Sequence, residues 1–393
     1  MKTVLFAWEL GRGLGHLVPI RRMAARLKDR GLRTVAAVPD LTAISDLRDV
    51  CAEVVQAPLW PLVSQVPAQR AARSSATLND ILSSAGLADV AAMRSMLAQW
   101  DAILARIRPD LVIADFAPMA ALAARGRVPL MLVGNGYTLP PDDMPRFPPL
   151  DRMSPPQWNE DVTLAAVNQA AQAMGLSQLD RLPQLFSGDA RLVQTFNLLD
   201  PYDTQRREPL DGPVIDYEPR ARNEDAALIF VYLSSGYDVP RGLVDALRPF
   251  AGRLRMHAPG LAAEQRANLA GAGARIDSGP IVLADVLPSC RLVVHSGGSG
   301  LACEALLTGI PQLILSRQIE QTLNGRALRH AGVGELSETY GPAAPVSPER
   351  VAMLIEGAAM ATRAGELGGW YRQYLSDRKP ALKYEDICLA LLR

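Results

Sequence analysis

Two clusters in this 393-residue chain have residue types and spacings that can do chemistry. The denser is His295-Ser296-Gly297-Gly298-Ser299-Gly300, followed by Glu304-Ala305, Gly309-Ile-Pro311, Glu320-Gln321 and Asn324. It comes just after the apolar run Leu292–Val294, which reads as a buried strand, and leads into a helix-like stretch. A glycine-rich turn between a strand and a helix N-terminus presents several backbone N–H groups and the positive end of the helix dipole, a setting for phosphate. Glu304 within the helix, and Glu320-Gln321 after the next strand (Gln312–Leu315), put hydroxyl-binding groups beyond that cradle. A diphosphate flanked by two polyols is a sugar nucleotide, and these residues point to one.

The second cluster is Gly11-Arg-Gly13-Leu-Gly15-His16-Leu-Val-Pro19. Its glycines miss the dinucleotide spacing: the third is one residue early, and after the second strand only Asp40 offers a ribose-binding acid. His16 alone could be a helix-start residue capping backbone, and Asp115, ending Asp110-Leu-Val-Ile-Ala-Asp115, could be a strand-end turn acid. Ser234-Ser235-Gly236 ends another apolar run and reads either as a plain turn or as a further diphosphate contact. His257 and His330 have no motif around them and read as structural.

The elements that must carry these residues alternate. Thr3–Ala7, Thr34–Val38, Leu111–Ala114 and Leu130–Val133 read as short buried strands. Ile20, Met23, Ala24 and Leu27 fall at helical spacing behind Pro19, which is tolerated in a first turn. Leu78–Ile107 reads as helical with a break near Gly86, Leu139–Pro156 as an irregular proline-dense loop, and Asp161–Met174 as a helix. The charged and proline-rich stretch Thr204–Asp225 is the candidate linker. From Ala226 the alternation restarts, with strands at Leu228–Leu233, Leu254–His257, Leu292–Val294 and Gln312–Leu315. Helices are expected near Val239–Ala251, Leu301–Leu307, Leu323–Ala331, Pro348–Ala364 and Trp370–Leu392. Short apolar strands separated by helices mean parallel sheets covered on both faces.

Bulk numbers limit the partners. Lys plus Arg and Asp plus Glu both count 41, so no basic surplus argues for nucleic acid or an anionic membrane. Nearly half the residues (49%) are apolar, enough for two cores and incompatible with disorder. The longest apolar runs are strand-length, too short to span a bilayer, and the N-terminus lacks a signal-peptide pattern. Cys51, Cys290, Cys303 and Cys388 show no CxxC spacing, and with no His/Asp/Glu cluster at ligand spacing the expectation is a cytoplasmic protein with no bound metal or cofactor.

The run from His295 to Asn324 resembles the donor-binding signature of the UDP-glycosyltransferase superfamily, which has the GT-B fold. The shared positions are His295, Gly297, Gly300, Glu304-Ala305, Gly309, Pro311, Glu320-Gln321 and Asn324. Two departures stand out: Glu304 lies one position further from His295 than the pattern has it, so the family's histidine falls on Ser296, and Leu301 stands where Ser or Thr touches phosphate. Gly-His16-x-x-Pro19 and the Pro109-Asp110 run to Asp115 match the same superfamily's N-terminal domain.

By this resemblance, Ser235, His295 or Ser296, Ser299 and the amides of Gly297, Gly298 and Gly300 hold a diphosphate. Glu304 takes the ribose, and Glu320 with Gln321 the donor sugar. No tryptophan lies between Trp158 and Trp370 to stack on a base, so backbone around Pro280–Leu283 would serve instead. His16, in a loop with Gly13 and Gly15, would deprotonate the acceptor hydroxyl, with Asp115 fixing its tautomer and stabilising the imidazolium. Leu59–Val66 and Tyr137–Trp158 would line an acceptor pocket, with Trp60, Asn135 and Tyr137 in it. The implied protein is α/β with two Rossmann-like parallel-sheet domains facing across a cleft. Residues 1–210 form the acceptor domain, 211–225 the linker, 226–370 the nucleotide-sugar domain, and 371–393 a helix packing back on the first domain. It would be an inverting, metal-independent glycosyltransferase with a UDP- or dTDP-sugar donor and a small-molecule or lipid acceptor. A GT-B epimerase and a catalytically silent GT-B partner protein are the alternative readings.

Overall fold

The near-continuous apolar strands are paired with one another, because each is buried on both faces. In a computed structural model, residues 1–11, 14–61, 75–150, 154–233, 239–279, 281–338, 346–378 and 384–393 are described. Two parallel six-stranded sheets result. The first contains β1 (Thr3–Trp8), β2 (Arg33–Val38), β3 (Glu53–Gln56), β4 (Leu111–Asp115), β5 (Leu130–Gly134) and β6 (Ala190–Val193), in the order β3-β2-β1-β4-β5-β6. The second contains β7 (Leu228–Tyr232), β8 (Leu254–His257), β9 (Arg275–Ile276), β10 (Cys290–His295), β11 (Gln312–Ser316) and β12 (Gly334–Glu338), in the order β12-β11-β10-β7-β8-β9. In both, the strand order reverses beside the first strand, and the crevice at the carboxyl end of that switch point is where such sheets bind ligands.

Side chains alternate across each sheet. In the second, Ile229, Val231, Leu292, Val294, Leu313 and Leu315 join one core cluster, while Phe230, Cys290 and Val293 join another with Ala305 and Ile310. In the first, Val4, Phe6 and Trp8 pack with Leu17, Ile20, Met23, Ala24 and Leu27 of helix α1 (Leu14–Asp29). The helix expected over 78–107 is two, α2 (Leu78–Ala85) and α3 (Val90–Ile107), because Gly86 at φ 123° ends the first. No single described helix is long and apolar enough to cross a membrane, although this pair, bent by 82°, passes such a test together. Much of its apolar surface, including Leu78, Leu82, Met93, Leu97 and Trp100, is buried within the protein.

The chain divides into two compact units, 1–214 with 380–393, and 215–379. The expected linker is therefore cut inside its span. Asp211 pairs with Val193 of β6, whereas Arg222 N–H reaches the Thr308 carbonyl at 2.8 Å and Asn223 N–H the Pro288 carbonyl at 2.8 Å. The boundary set at 370 also moves. One helix, Ala358–Arg378, stays on the C-terminal unit, and only the helix Tyr384–Leu391 belongs to the first, where the Tyr384 hydroxyl meets the Arg22 carbonyl at 3.4 Å. The reason is close backbone packing. A Cβ on Gly368 would lie 2.6 Å from the Leu306 carbonyl oxygen and 2.9 Å from the Gly309 Cα, so this helix is pressed against Ser299–Thr308, which carries the glycine-rich turn.

That contact gives a paired prediction. Gly368→Ala should destabilise the C-terminal unit by about 1–3 kcal/mol, the usual cost of overpacking. Gly365→Ala, one turn earlier with open space at its Cβ, should be neutral or stabilising by up to about 1 kcal/mol through helix propensity. Urea melts of the two variants check it; equal melts would mean the helices are not pressed together at Gly368.

Candidate active site

In the N-terminal unit, the switch point lies between β1 and β4, where Trp8 and Asp115 are register partners. Helix α1 begins at Leu14, so His16 sits in its first turn beside the end of β4. The Nδ1 of His16 is 3.0 Å from both Asp115 carboxylate oxygens. A carboxylate only accepts, so Nδ1 carries the proton and Nε2 is the basic nitrogen. Both side chains are mostly shielded, 13% and 7% exposed, which strengthens the pair against water. The imidazole is stacked on Trp8 (centroids 5.2 Å apart) and on Phe116 (6.3 Å), and Tyr137 meets the Phe116 ring edge-on at 6.3 Å.

Two backbone features make this arrangement possible. Gly11 has φ 83°, and a Cβ there would lie 2.2 Å from His16 Nε2. Phe116, directly after Asp115, is left-handed at φ 44°, a strained state for a bulky residue that persists only where its surroundings hold it. Its carbonyl accepts the Leu10 N–H at 3.2 Å.

Glu9 lies beside this turn, buried at the end of β1. Its Oε1 accepts Ala120 N–H at 2.6 Å; its Oε2 accepts Met119 N–H at 3.2 Å and the Trp60 indole N–H at 3.0 Å. Burial pushes its carboxyl up to about 7, offset in part by these bonds. Trp60, expected in an acceptor pocket, is instead 4% exposed with its polar atom spent on Glu9. Asn135 and Tyr137 share one turn, in which the Asn135 Oδ1 accepts Thr138 N–H at 2.9 Å. Gly15 is exposed in the first turn of α1; Gly13 lies outside the described residues, as do Ser235 and Pro280.

In the C-terminal unit, Tyr232 and His295 are register partners across the β7–β10 switch point. The turn after β10 runs through Ser296, half-buried, and Gly297 to Gly298, which caps the helix Ser299–Thr308. Gly300 is exposed at the start of that helix, and neither Gly298 nor Gly300 has anything within 4 Å of where a Cβ would be. Gly297 is tight: at φ 92°, a Cβ would lie 2.6 Å from Ile314 and 2.9 Å from the Gln321 carbonyl oxygen. Its own carbonyl accepts the Asn324 amide at 2.9 Å. The turn is thus seated on the helix Ile319–His330, whose first turn holds Glu320 and Gln321. The Gln321 Oε1 accepts Arg317 N–H at 2.8 Å.

Of the two expected diphosphate contacts, His295 or Ser296, the histidine is the one turned inward. It is 1% exposed, its Nε2 donates to Gln312 Oε1 at 2.9 Å, and its Nδ1 accepts Gly297 N–H at 3.2 Å. Burial pushes its pKa down to about 4, so the ring is a neutral brace for the turn. Glu304 is buried and accepts the Tyr217 hydroxyl, a partner far away in sequence that no local pattern announces. Phe116 also escaped the motif reading, and Glu9 enters it only as the next candidate base should His16 not serve. Glu9 left one trace, a carboxylate following an apolar strand.

Comparison with known proteins bears on both units. The model for the erythromycin biosynthesis protein CIII-like C-terminal domain matches residues 258–369. L-demethylnoviosyl transferase of Streptomyces niveus is 25% identical over 351 residues, 82% of each chain. The elloramycin glycosyltransferase of Streptomyces olivaceus is 46% identical over 52 residues, covering 13% of this chain and 14% of the relative. The structure of the calicheamicin glycosyltransferase CalG4 superposes with a TM-score of 0.70 at 18% identity, over 100% of this chain and 98% of that one. That of the kitacinnamycin glycotransferase gives 0.65 at 18%, over 100% and 99%. Together the relatives and the shared fold indicate a glycosyltransferase with the GT-B fold.

Proposed function

We propose that this glycosyltransferase, of the natural-product type and using a nucleoside-diphosphate sugar, is an inverting and metal-independent enzyme with His16 as its general base. The observation that carries the reading is the pairing of His16 Nδ1 with Asp115 at 3.0 Å. The carboxylate fixes the tautomer in which Nε2 accepts a proton and stabilises the imidazolium that forms. As Nε2 takes the acceptor's hydroxyl proton, the oxygen attacks the anomeric carbon from the face opposite the leaving diphosphate, which inverts the centre. The tyrosine and phenylalanine rings near His16 favour a small, hydrophobic acceptor.

On the donor side, the N–H groups at Gly298–Gly300 and the helix they open supply positive potential for the diphosphate as charge develops on it. Glu304 suits the ribose, and Glu320 with Gln321 the sugar, since the phosphate turn rests on the helix that bears them. A carboxylate or amide that loses a hydroxyl partner in such a site forfeits about 1–3 kcal/mol, so this pair would select among sugars. The protein is expected to work in the cytoplasm.

Three outcomes follow. His16→Ala should leave fold and donor binding intact and lower transfer by about 10²–10⁴-fold. Asp115→Asn should lower it too, less than additively with the first change, as expected of two residues acting as one unit. Transfer rates in the two single variants and the double variant decide this; near-wild-type transfer by His16→Ala rules the base out. Calorimetry should find UDP or dTDP bound in EDTA as tightly as with magnesium, whereas binding only with a divalent ion would overturn the metal-independent reading. Glu320→Ala or Gln321→Ala should weaken use of the sugar donor with nucleoside diphosphate affinity nearly unchanged, and an equal loss for both ligands would give the pair another role.

A further inference from the structure

The N-terminal unit buries an acid that the proposed transfer step does not use. Glu9 follows β1, the strand that leads into the His16 loop; Met119 and Ala120 open the helix Pro118–Ala124, which follows Asp115. Each of that helix's first amides needs an acceptor, and its own cap residue, Ala117, supplies none. The Glu9 carboxylate takes two of them. Between Asp115 and this clamp lies Phe116, the left-handed residue, tied from its other side by Leu10 N–H. The segments that follow β1 and β4, next to the two members of the dyad, are therefore joined by Leu10 to Phe116 and by Glu9 to Met119 and Ala120.

We propose that Glu9 is a positioning residue of the dyad: its carboxylate clamps the start of the helix Pro118–Ala124 onto the end of β1, and so holds the strained Phe116 turn that aims Asp115 at His16 Nδ1. This rests on the reading of His16 and Asp115 as the base pair. Among the described residues the groups facing Glu9 are neutral: the Trp60 indole, two backbone amides and Trp100, whose buried indole nitrogen makes no hydrogen bond there yet lies near enough to favour the carboxylate slightly. A surface carboxylate would serve a backbone clamp as well, at no desolvation cost. A buried one makes rigid, undivided bonds in a medium where they are strong, which a site needing Asp115 placed to a fraction of an ångström can use. Asp115 is a titratable contact of His16, and Trp8 and Phe116 lie on the ring faces.

The test reads His16 directly. The chain has four histidines, so a ¹⁵N-labelled sample gives four imidazole spin systems, each with two ring nitrogens, and His16→Ala assigns the relevant one. Glu9→Gln keeps the volume but turns an amide NH₂ toward N–H donors, breaking part of the clamp. Expected are a downward shift of the His16 titration, a fall in kcat of about 10–10²-fold with donor KM unchanged, and little further loss when the change is made on Asp115→Asn. Trp60→Phe, which removes only the indole donor, should shift the His16 titration the same way by less, and it serves alone if Glu9→Gln does not fold. An unmoved His16 titration, or a full additional loss on the Asp115→Asn background, overturns the proposal. Full transfer by His16→Ala would instead sink the base assignment, while the titration still reports on Glu9.

Discussion

The chemistry proposed for the N-terminal unit depends on one hydrogen-bonded pair, His16 Nδ1 against the Asp115 carboxylate. Its two residues come from different strand-to-helix connections and meet only because β1 and β4 are neighbours at the switch point, with Trp8 level with Asp115. Holding them in register has local costs. Phe116 adopts a left-handed conformation worth about 1–3 kcal/mol of strain. Gly11 gives up a side chain, since any Cβ would collide with Nε2. The stacking of Trp8 and Phe116 on the imidazole fixes the plane in which Nε2 presents its lone pair. Each feature is hard to explain as a contribution to stability and simple to explain as alignment.

The second histidine of a switch point makes the contrast. His295 ends β10 as the pattern for a ligand-binding edge requires, yet its surroundings strip it of reactivity. It has no carboxylate partner; a neutral amide takes its proton, a backbone N–H takes its lone pair, and burial lowers its pKa to about 4. An imidazole sealed among neutral dipoles cannot become a cation at small cost. Residue type at a strand end therefore says little without the charge of the neighbour.

Much of the architecture was legible because the central strands are doubly buried. β1, β4 and β5 read as uninterrupted apolar runs. The edge strands did not. Glu53–Gln56, Ala190–Val193, Arg275–Ile276 and Gly334–Glu338 are short, partly exposed and mixed in character, because one side of each lacks a partner strand. The same divide holds at the site. The residues of the glycine-rich turn and the Gly-His-x-x-Pro loop announced themselves by local spacing. Glu9 with Met119 and Ala120, Trp60 with Glu9, and Tyr217 with Glu304 are separated by 50 residues or more and arise from packing that no window of sequence contains. The one-residue offset between His295 and Glu304 also resolves here: the offset histidine turns inward as a brace, and Ser296 takes the half-exposed position.

This division of labour runs through the whole signature. His295, Gln312 and Asn324 spend side-chain bonds within the unit, on one another, on the Gly297 turn or on Ala302. Their work is to hold backbone in a shape it would not keep alone, with Gly297 at φ 92° pressed against Ile314 and Gln321. What that shape offers is the row of amides at Gly298, Ser299 and Gly300 at the mouth of a ten-residue helix, which needs no side chain to attract a diphosphate. An anion held by backbone tolerates changes in the flanking side chains as long as the turn survives. On the proposed reading, Leu301 in place of a hydroxyl costs one contact, whereas loss of Gly297 or Asn324 would remove the geometry on which every amide in the row depends.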